Sequence, residues 1–324
     1  MAVLARVVRS GVVECEHHGS AVVVGADGTV EHQWGEPQRA MMPRSSNKPL
    51  QLVGMLRCGL RLPPPLLAIA TASHAGEAMH VTRVERLLTA AGLSVDQLRC
   101  PAAMPGDDDA ARQRWCAGLG PEPVFMNCSG KHAAMLATCR HNHWSLDSYL
   151  DADHPLQQAL RDAVVDLAGE PVDSVAVDGC GAPIFSISLV GLAGAFGRMV
   201  RAAPDSPERA VVEACRAYPL LVSGTHRPDG QLTAGVPGLF AKAGAEGVFA
   251  AALPDGRAIA VRTHDGAMRA TLVVMAELLH RVGVRTEVVE AMPAFELIED
   301  RRADYKATRA YSLIADNAWN ALRG

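Results

Sequence analysis

Ser45 and Lys48 stand three residues apart in Arg44-Ser45-Ser46-Asn47-Lys48-Pro49. On a helix that spacing places two side chains on one face, a turn apart. A serine hydroxyl attacks an amide only when a nearby base takes its proton, and a lysine amine kept neutral by desolvation is such a base. Pro49 lacks an N–H and is accommodated only in the first helical turn, where N–H groups have no partners. Ser45 is therefore expected at a helix start, where free N–H groups favour a developing anion. Pro49 also disfavours helical dihedrals at Lys48. Without chemistry, Ser-x-x-Lys is a cap followed by a solvated lysine. Here Pro43 precedes it and Leu50, Leu52, Val53 and Met55 follow, with few charges near.

Four other stretches combine small residues and glycine with reactive side chains: Ala72-Ser73-His74-Ala75-Gly76-Glu77, Met126-Asn127-Cys128-Ser129-Gly130-Lys131-His132, Val177-Asp178-Gly179-Cys180-Gly181-Ala182-Pro183 and Phe240-Ala241-Lys242-Ala243-Gly244-Ala245-Glu246-Gly247. Glycine lets backbone approach a ligand closely, so these segments are candidate pocket walls. Cys128 and Cys180 are soft donors suited to zinc, and Lys131 joins them if its amine is deprotonated. The alternative is a pair of inert buried thiols, since no Cys-x-x-Cys pair is present. His132, one turn from Cys128, either orients a substrate or is a capped core histidine. Lys242 has small, uncharged neighbours, which favour burial over a solvated turn. Cys58, Cys100, Cys116, Cys139 and Cys215 read as core or boundary residues. His141 and His143 read as surface residues at a helix end, and His17 and His18 as exposed between strands.

These segments need elements to position them. Residues 3 to 34 read as strands, with a hairpin at Gly25-Ala26-Asp27-Gly28. A helix is expected from Ser45 to Cys58-Gly59, and another from Glu77 to Ala91. Helices follow at Asp107–Ala117, Ser129–His141, Leu156–Ala168, Ile184–Met199 and Pro207–Ala217, with one short strand at Ser174–Asp178. Strands return at Gly247–Ala252 and Ala258–Arg262 around Pro254-Asp255-Gly256. A long apolar helix covers Gly266–Val282, and Glu287-Val288-Val289 reads as a last strand. Strands at both ends and helices between them imply an α+β fold, with one antiparallel sheet built from N- and C-terminal strands and a helical lobe. One catalytic domain is expected over residues 1–324, with a sheet lobe of about 1–40 and 225–324 and a helical lobe of about 45–220. A cleft between lobes is a usual place for a site.

Composition narrows the class. Of 324 residues, 49% are hydrophobic and 20% charged, with a net charge of -4. That is ample for a core and unlike a basic nucleic-acid binder, so no nucleic-acid partner is expected. No apolar run has the length of a membrane span. The first residues carry charge too soon for a signal peptide, and eight cysteines in a chain of this length indicate reduced thiols in the cytoplasm.

In the same order, the five motifs resemble those of the rhizobial-type (class 3) L-asparaginase II family. The resemblance spans most of the chain. It implies a serine β-lactamase/glutaminase-like fold, also related to penicillin-binding proteins. It further implies two Ser–Lys tandems, Ser45 with Lys48 and Ser73 with Lys242, and zinc bound near the site by Cys128, Lys131 and Cys180. Arg44, His132 and Asp178 match residues lining the substrate pocket, and a homodimer is implied. The expected reaction is hydrolysis of L-asparagine to L-aspartate and ammonia, with Ser45 attacking, Lys48 as base and the second pair relaying protons. The zinc would support substrate binding rather than activate water. Other readings are a cytoplasmic Ser–Lys amidase acting on glutamine, and a zinc- or thiol-binding protein without catalysis.

Overall fold

The computed structural model describes residues 2–9, 12–292 and 310–312. The chain opens with β1 (Ala2–Arg9), β2 (Val12–Val24) and β3 (Val30–Trp34). A run of helices follows: α1 (Lys48–Arg57), α2 (Pro64–Ala70), α3 (Ala78–Ala90), α4 (Asp108–Cys116), α5 (Ser129–His141) and α6 (Pro155–Ala168). A two-stranded ribbon, β4 (Val175–Val177) with β5 (Pro183–Phe185), interrupts it. The run continues with α7 (Leu189–Arg201), α8 (Pro207–Ala217), α9 (Pro219–Val222) and α10 (Pro228–Gly235). The chain then returns to strand in β6 (Phe240–Gly244), β7 (Val248–Ala252) and β8 (Ala258–Thr263), followed by α11 (Met268–Arg281), α12 (Glu287–Ala291) and β9 (Ala310–Ser312).

Strands from both ends share one antiparallel sheet in the order β6-β7-β8-β2-β1-β9, with β3 also on β2. The pairing works because β2 is 13 residues long. Its first part pairs with β1, and its second part, Gly19 to Val24, pairs with β8. Alternation along the strands sends residues to opposite faces. Val22, Val24, Phe240, Ala250 and Ala260 join the core of the helical lobe, against α7. Ala21, Val23, Ala241, Phe249 and Val261 join a second core under α11. Both faces are thus covered, which is why these strands read as nearly continuous apolar runs. The expected α+β architecture is the observed one.

Local expectations differ in five places, one of them Cys116, which is exposed at the end of α4 rather than in the core or at its boundary. Arg44–Asn47 forms a 3-10 turn, and the α-helix begins only at Lys48, whose φ of -57° and ψ of -37° are helical despite Pro49. Helical structure does not begin at Ile184: β5 ends at Phe185, and α7 starts after Ser188, whose hydroxyl accepts from the Gly191 N–H. Glu287–Ala291 is a short helix with Val289 buried against α11 rather than a strand. His17 is buried and bonds Asp265, so it is not an exposed linker residue. All eight cysteines are free. Among the described residues no helix is long and apolar enough to cross a membrane.

Candidate active site

The motifs converge where β6 meets the helical lobe. Gly244 makes this approach possible: a Cβ there would lie 2.7 Å from the Pro43 carbonyl oxygen. The end of β6 therefore abuts the turn carrying Ser45. Arg44 in that turn has φ of +53°, a left-handed conformation uncommon for a residue with a side chain. Its Nε donates to Asp178 at 2.9 Å, and Glu246 lies 3.6 Å from Nη1.

Three lysines meet in the interior. Lys48 is 1% exposed, Lys131 2% and Lys242 0%. A buried amine must find an anion or give up its proton, and the three differ in this respect. Lys242 Nζ donates to Asp229 Oδ2 at 2.7 Å and to the Ala243 carbonyl at 3.1 Å. Asp229, itself 3% exposed, would be raised by burial, but Lys242 and the Ala243 N–H hold its pKa below the usual carboxylate value. Lys131 Nζ donates to Cys180 Sγ at 3.2 Å. Burial would lower its pKa, yet Cys180 and Cys128 raise it. Cys180 is lowered to about 5 by a hydrogen bond from Cys128 and by the charge of Lys131, against burial.

Lys48 has no acid. Its amine donates to the Ala72 carbonyl at 2.6 Å and to Ser73 Oγ at 3.0 Å. Burial lowers its pKa most, and Lys131 and Lys242 push it further. Cys128 beside it acts in the opposite sense, but that thiol is itself pushed up to about 12 by its bond to Cys180 and by burial. Of the three amines, Lys48 is the one whose pKa burial lowers from its ordinary value.

The serines differ too. Ser73 Oγ is the partner of Lys48, so the observed bond crosses the pairing of Ser73 with Lys242 that the resemblance implied. Ser45 is half-buried, one helical turn before Lys48, and its hydroxyl has no hydrogen-bond partner among the described residues. The loop carrying Ser73 is pinned from behind. The Ser73 N–H donates to Val222 O, and His74 Nδ1 accepts from the Gly76 N–H. His74 Nε2 then donates to Ser129 Oγ at 2.8 Å, whose hydroxyl donates to the Val124 carbonyl.

His132, fully buried, has one orphan. Tyr149 OH accepts the Arg99 N–H, so its own proton goes to His132 Nδ1 at 2.7 Å. Nε2 then carries the ring proton, enclosed and without a partner among the described residues. Burial and the nearby Lys131 hold this imidazole neutral, with a pKa of about 3.

Two sulfurs and the Lys131 amine suit zinc as a donor set. Three protein donors leave a fourth position open, the usual arrangement beside a substrate. Among the described residues no three His, Cys, Asp or Glu gather for a metal, so the lysine would have to serve as the third ligand.

Asp229 and Tyr149 are partners that the motifs did not reveal. The burial expected for Lys242 called for an acid, yet Pro228-Asp229-Gly230 reads as an ordinary turn.

A sequence model of the L-asparaginase II family matches residues 5–308, so the chain is an amidohydrolase. It belongs to the L-asparaginase II family. In structure it is similar to a β-lactamase from Mycobacterium bovis, with 16% sequence identity and a TM-score of 0.43, over 82% of this chain and 95% of that one. No curated protein matches the chain in sequence.

Proposed function

We propose that this enzyme hydrolyses the side-chain amide of L-asparagine, giving L-aspartate and ammonia, with Ser45 as nucleophile and Lys48 as general base. The observation that carries the Ser–Lys chemistry is Lys48, a buried amine without a carboxylate partner, hydrogen-bonded to the Ser73 hydroxyl; Ser45 is assigned the attack because its hydroxyl is unengaged among the described residues, one turn before Lys48 at the helix start. Ser45 Oγ attacks the amide carbon while its proton passes to Lys48 Nζ. N–H groups at the start of the α1 segment stabilise the oxyanion. As the C–N bond breaks, Lys48 returns the proton through Ser73 to the departing nitrogen, which leaves as ammonia. Water then attacks the aspartyl ester, Lys48 takes its proton, and Ser45 is regenerated with release of aspartate. Lys242, ion-paired with Asp229, is held in place beside the site. His132 Nε2 offers a donor to substrate, and Arg44 shares its guanidinium between Asp178 and the substrate carboxylate. Zinc held by Cys128, Lys131 and Cys180 would supply positive charge for that same carboxylate. The protein acts in the cytoplasm as a homodimer.

The test is ammonia release from asparagine and glutamine, with trapping and mapping of the acyl-enzyme. Asparagine is expected to be the better substrate, the aspartyl group to map to Ser45, and Ser45→Ala to lose at least ~10³-fold in kcat. Faster release from glutamine would make the enzyme a glutaminase. An aspartyl group on Ser73 would exchange the roles of the two serines, and absence of ammonia would leave a binding protein.

The metal reading has its own readout. Purified protein is expected to hold about one zinc per chain, lost in Cys180→Ser, and chelation is expected to lower Tm. Equal zinc content in the variant would remove Cys180 from the ligand set.

A further inference from the structure

Arg262 lies near the end of β8, opposite Ser20 on β2. Its position shares the face of Ala258 and Ala260, towards α7. Its guanidinium is half-buried, yet among the described residues it has no acid or carbonyl partner, and Nε is enclosed with nothing to donate to. Buried Nε–H groups are ordinarily satisfied, and an orphan calls for an explanation. A cavity of about 360 Å³ opens beside it, lined by Ser20, Glu36, Arg39, Met41, Arg262 and His264 among others. That volume suits a small ligand. The walls carry two guanidiniums and one carboxylate, Glu36, which lies 3.7 Å from Arg39 and leaves Arg262 uncompensated. His264, exposed at the rim, is lowered in pKa by burial and then by Arg262 and Arg39, with Glu36 opposing and His18 contributing in the same sense as the arginines. The local field is therefore positive.

We propose that this cavity binds a small oxyanion, a carboxylate or phosphate group, in the fork of Arg262 with Arg39 at its mouth. Arginine presents paired N–H donors that match such oxygens, and the half-buried setting of Arg262 favours the charge-assisted bond. This pocket is separate from the amide-hydrolysing site but joined to it by chain. Met41, in its wall, is fixed by paired backbone bonds with Ile187, and Pro43 and Arg44 follow directly. An anion there would brace the segment leading into the turn of Ser45.

Thermal melts with added phosphate, succinate or chloride at constant ionic strength test the proposal. A saturable rise in Tm is expected with phosphate or succinate but not with chloride; the salt that gives it identifies the anion class. The rise is expected to fall at least ~fivefold in Arg262→Gln and to persist in Arg44→Gln, which removes the guanidinium assigned to the substrate carboxylate and so separates the rise from occupation of the catalytic site. Glu36→Gln removes the competing carboxylate and is expected to tighten binding, and it serves as well should Arg262→Gln fail to fold. A shift equal to that of chloride, or one unchanged in both Arg262→Gln and Glu36→Gln, overturns the assignment.

Discussion

Replacing Lys48 with methionine is expected to lower kcat by at least ~10³-fold while leaving Tm unchanged or raised, a general base being worth ~10²–10⁴. The two effects have one cause. Lys48 is a buried amine without an acid, so its solvation is given up without an ionic partner in return. Methionine fills similar volume without that cost, but it cannot accept a proton from serine. Ammonia release and a thermal melt on the same preparation measure both. Full turnover in the variant would mean that another group is the base.

The pH dependence has a definite sign. Burial and the neighbouring lysines lower Lys48 below its ordinary value of 10.5, so the unfolded chain binds this proton more readily than the folded one. The contribution of Lys48 to stability therefore rises with pH between its folded value and 10.5, and it is least favourable below that window. Activity should likewise rise on a limb lying below 10.5, as the amine loses its proton. Lys48→Met should flatten the stability trend and remove the activity limb.

Asp229→Asn is the second large effect. Asp229 and Lys242 form a pair whose side chains are 3% and 1% exposed. Breaking such a pair by removing one charge strands the other, at a cost of ~3–5 kcal/mol. A fall of more than ~10-fold in kcat is expected as well, because Lys242 would lose its fixed position. The double variant Asp229→Leu with Lys242→Met should recover much of the stability and none of the activity, since an apolar pair removes both desolvation penalties. Urea titrations of the wild type, Asp229→Leu, Lys242→Met and the double variant form the cycle. An Asp229→Asn protein as stable as wild type would show that the pair is solvated after all. Acid adds a check: the folded pKa of Asp229 lies below 3.8, so its stabilisation is full above that value and disappears as pH falls through the folded pKa. The Asn variant should lack that component of acid unfolding.

The fold was largely written in local patterns. The hairpins around Gly25–Gly28 and Pro254–Gly256 and the short apolar runs of β2, β7 and β8 mark strands at each end of the chain. Their union in one sheet follows from the need to cover both faces. Where patterns were short or competing, tertiary packing decided. Val288 and Val289 have strand propensity, but Val289 is buried against the second core as a turn of helix. Small-residue motifs named the segments that surround Lys48, because backbone must come close there. The partnerships inside that cluster were less visible. Lys48 reaches Ser73, 25 residues on and in another element, and no spacing rule reports such a bond. Asp229 sits in the first turn of α10, where an acid is expected on dipole grounds alone. A compositional signal did exist: of 31 basic residues only four are lysine, Lys48, Lys131, Lys242 and Lys306, and three of those fall in the motifs.

That scarcity also reaches the outside of the molecule. Every lysine among the described residues is interior, so guanidinium alone supplies the basic side-chain charge of the described surface. Amine-directed labels and lysine-specific proteases meet no target on that surface. Cleavage after Lys48, Lys131 or Lys242 must await separation of the sheet from the helical lobe, and its rate clocks how often this enzyme opens.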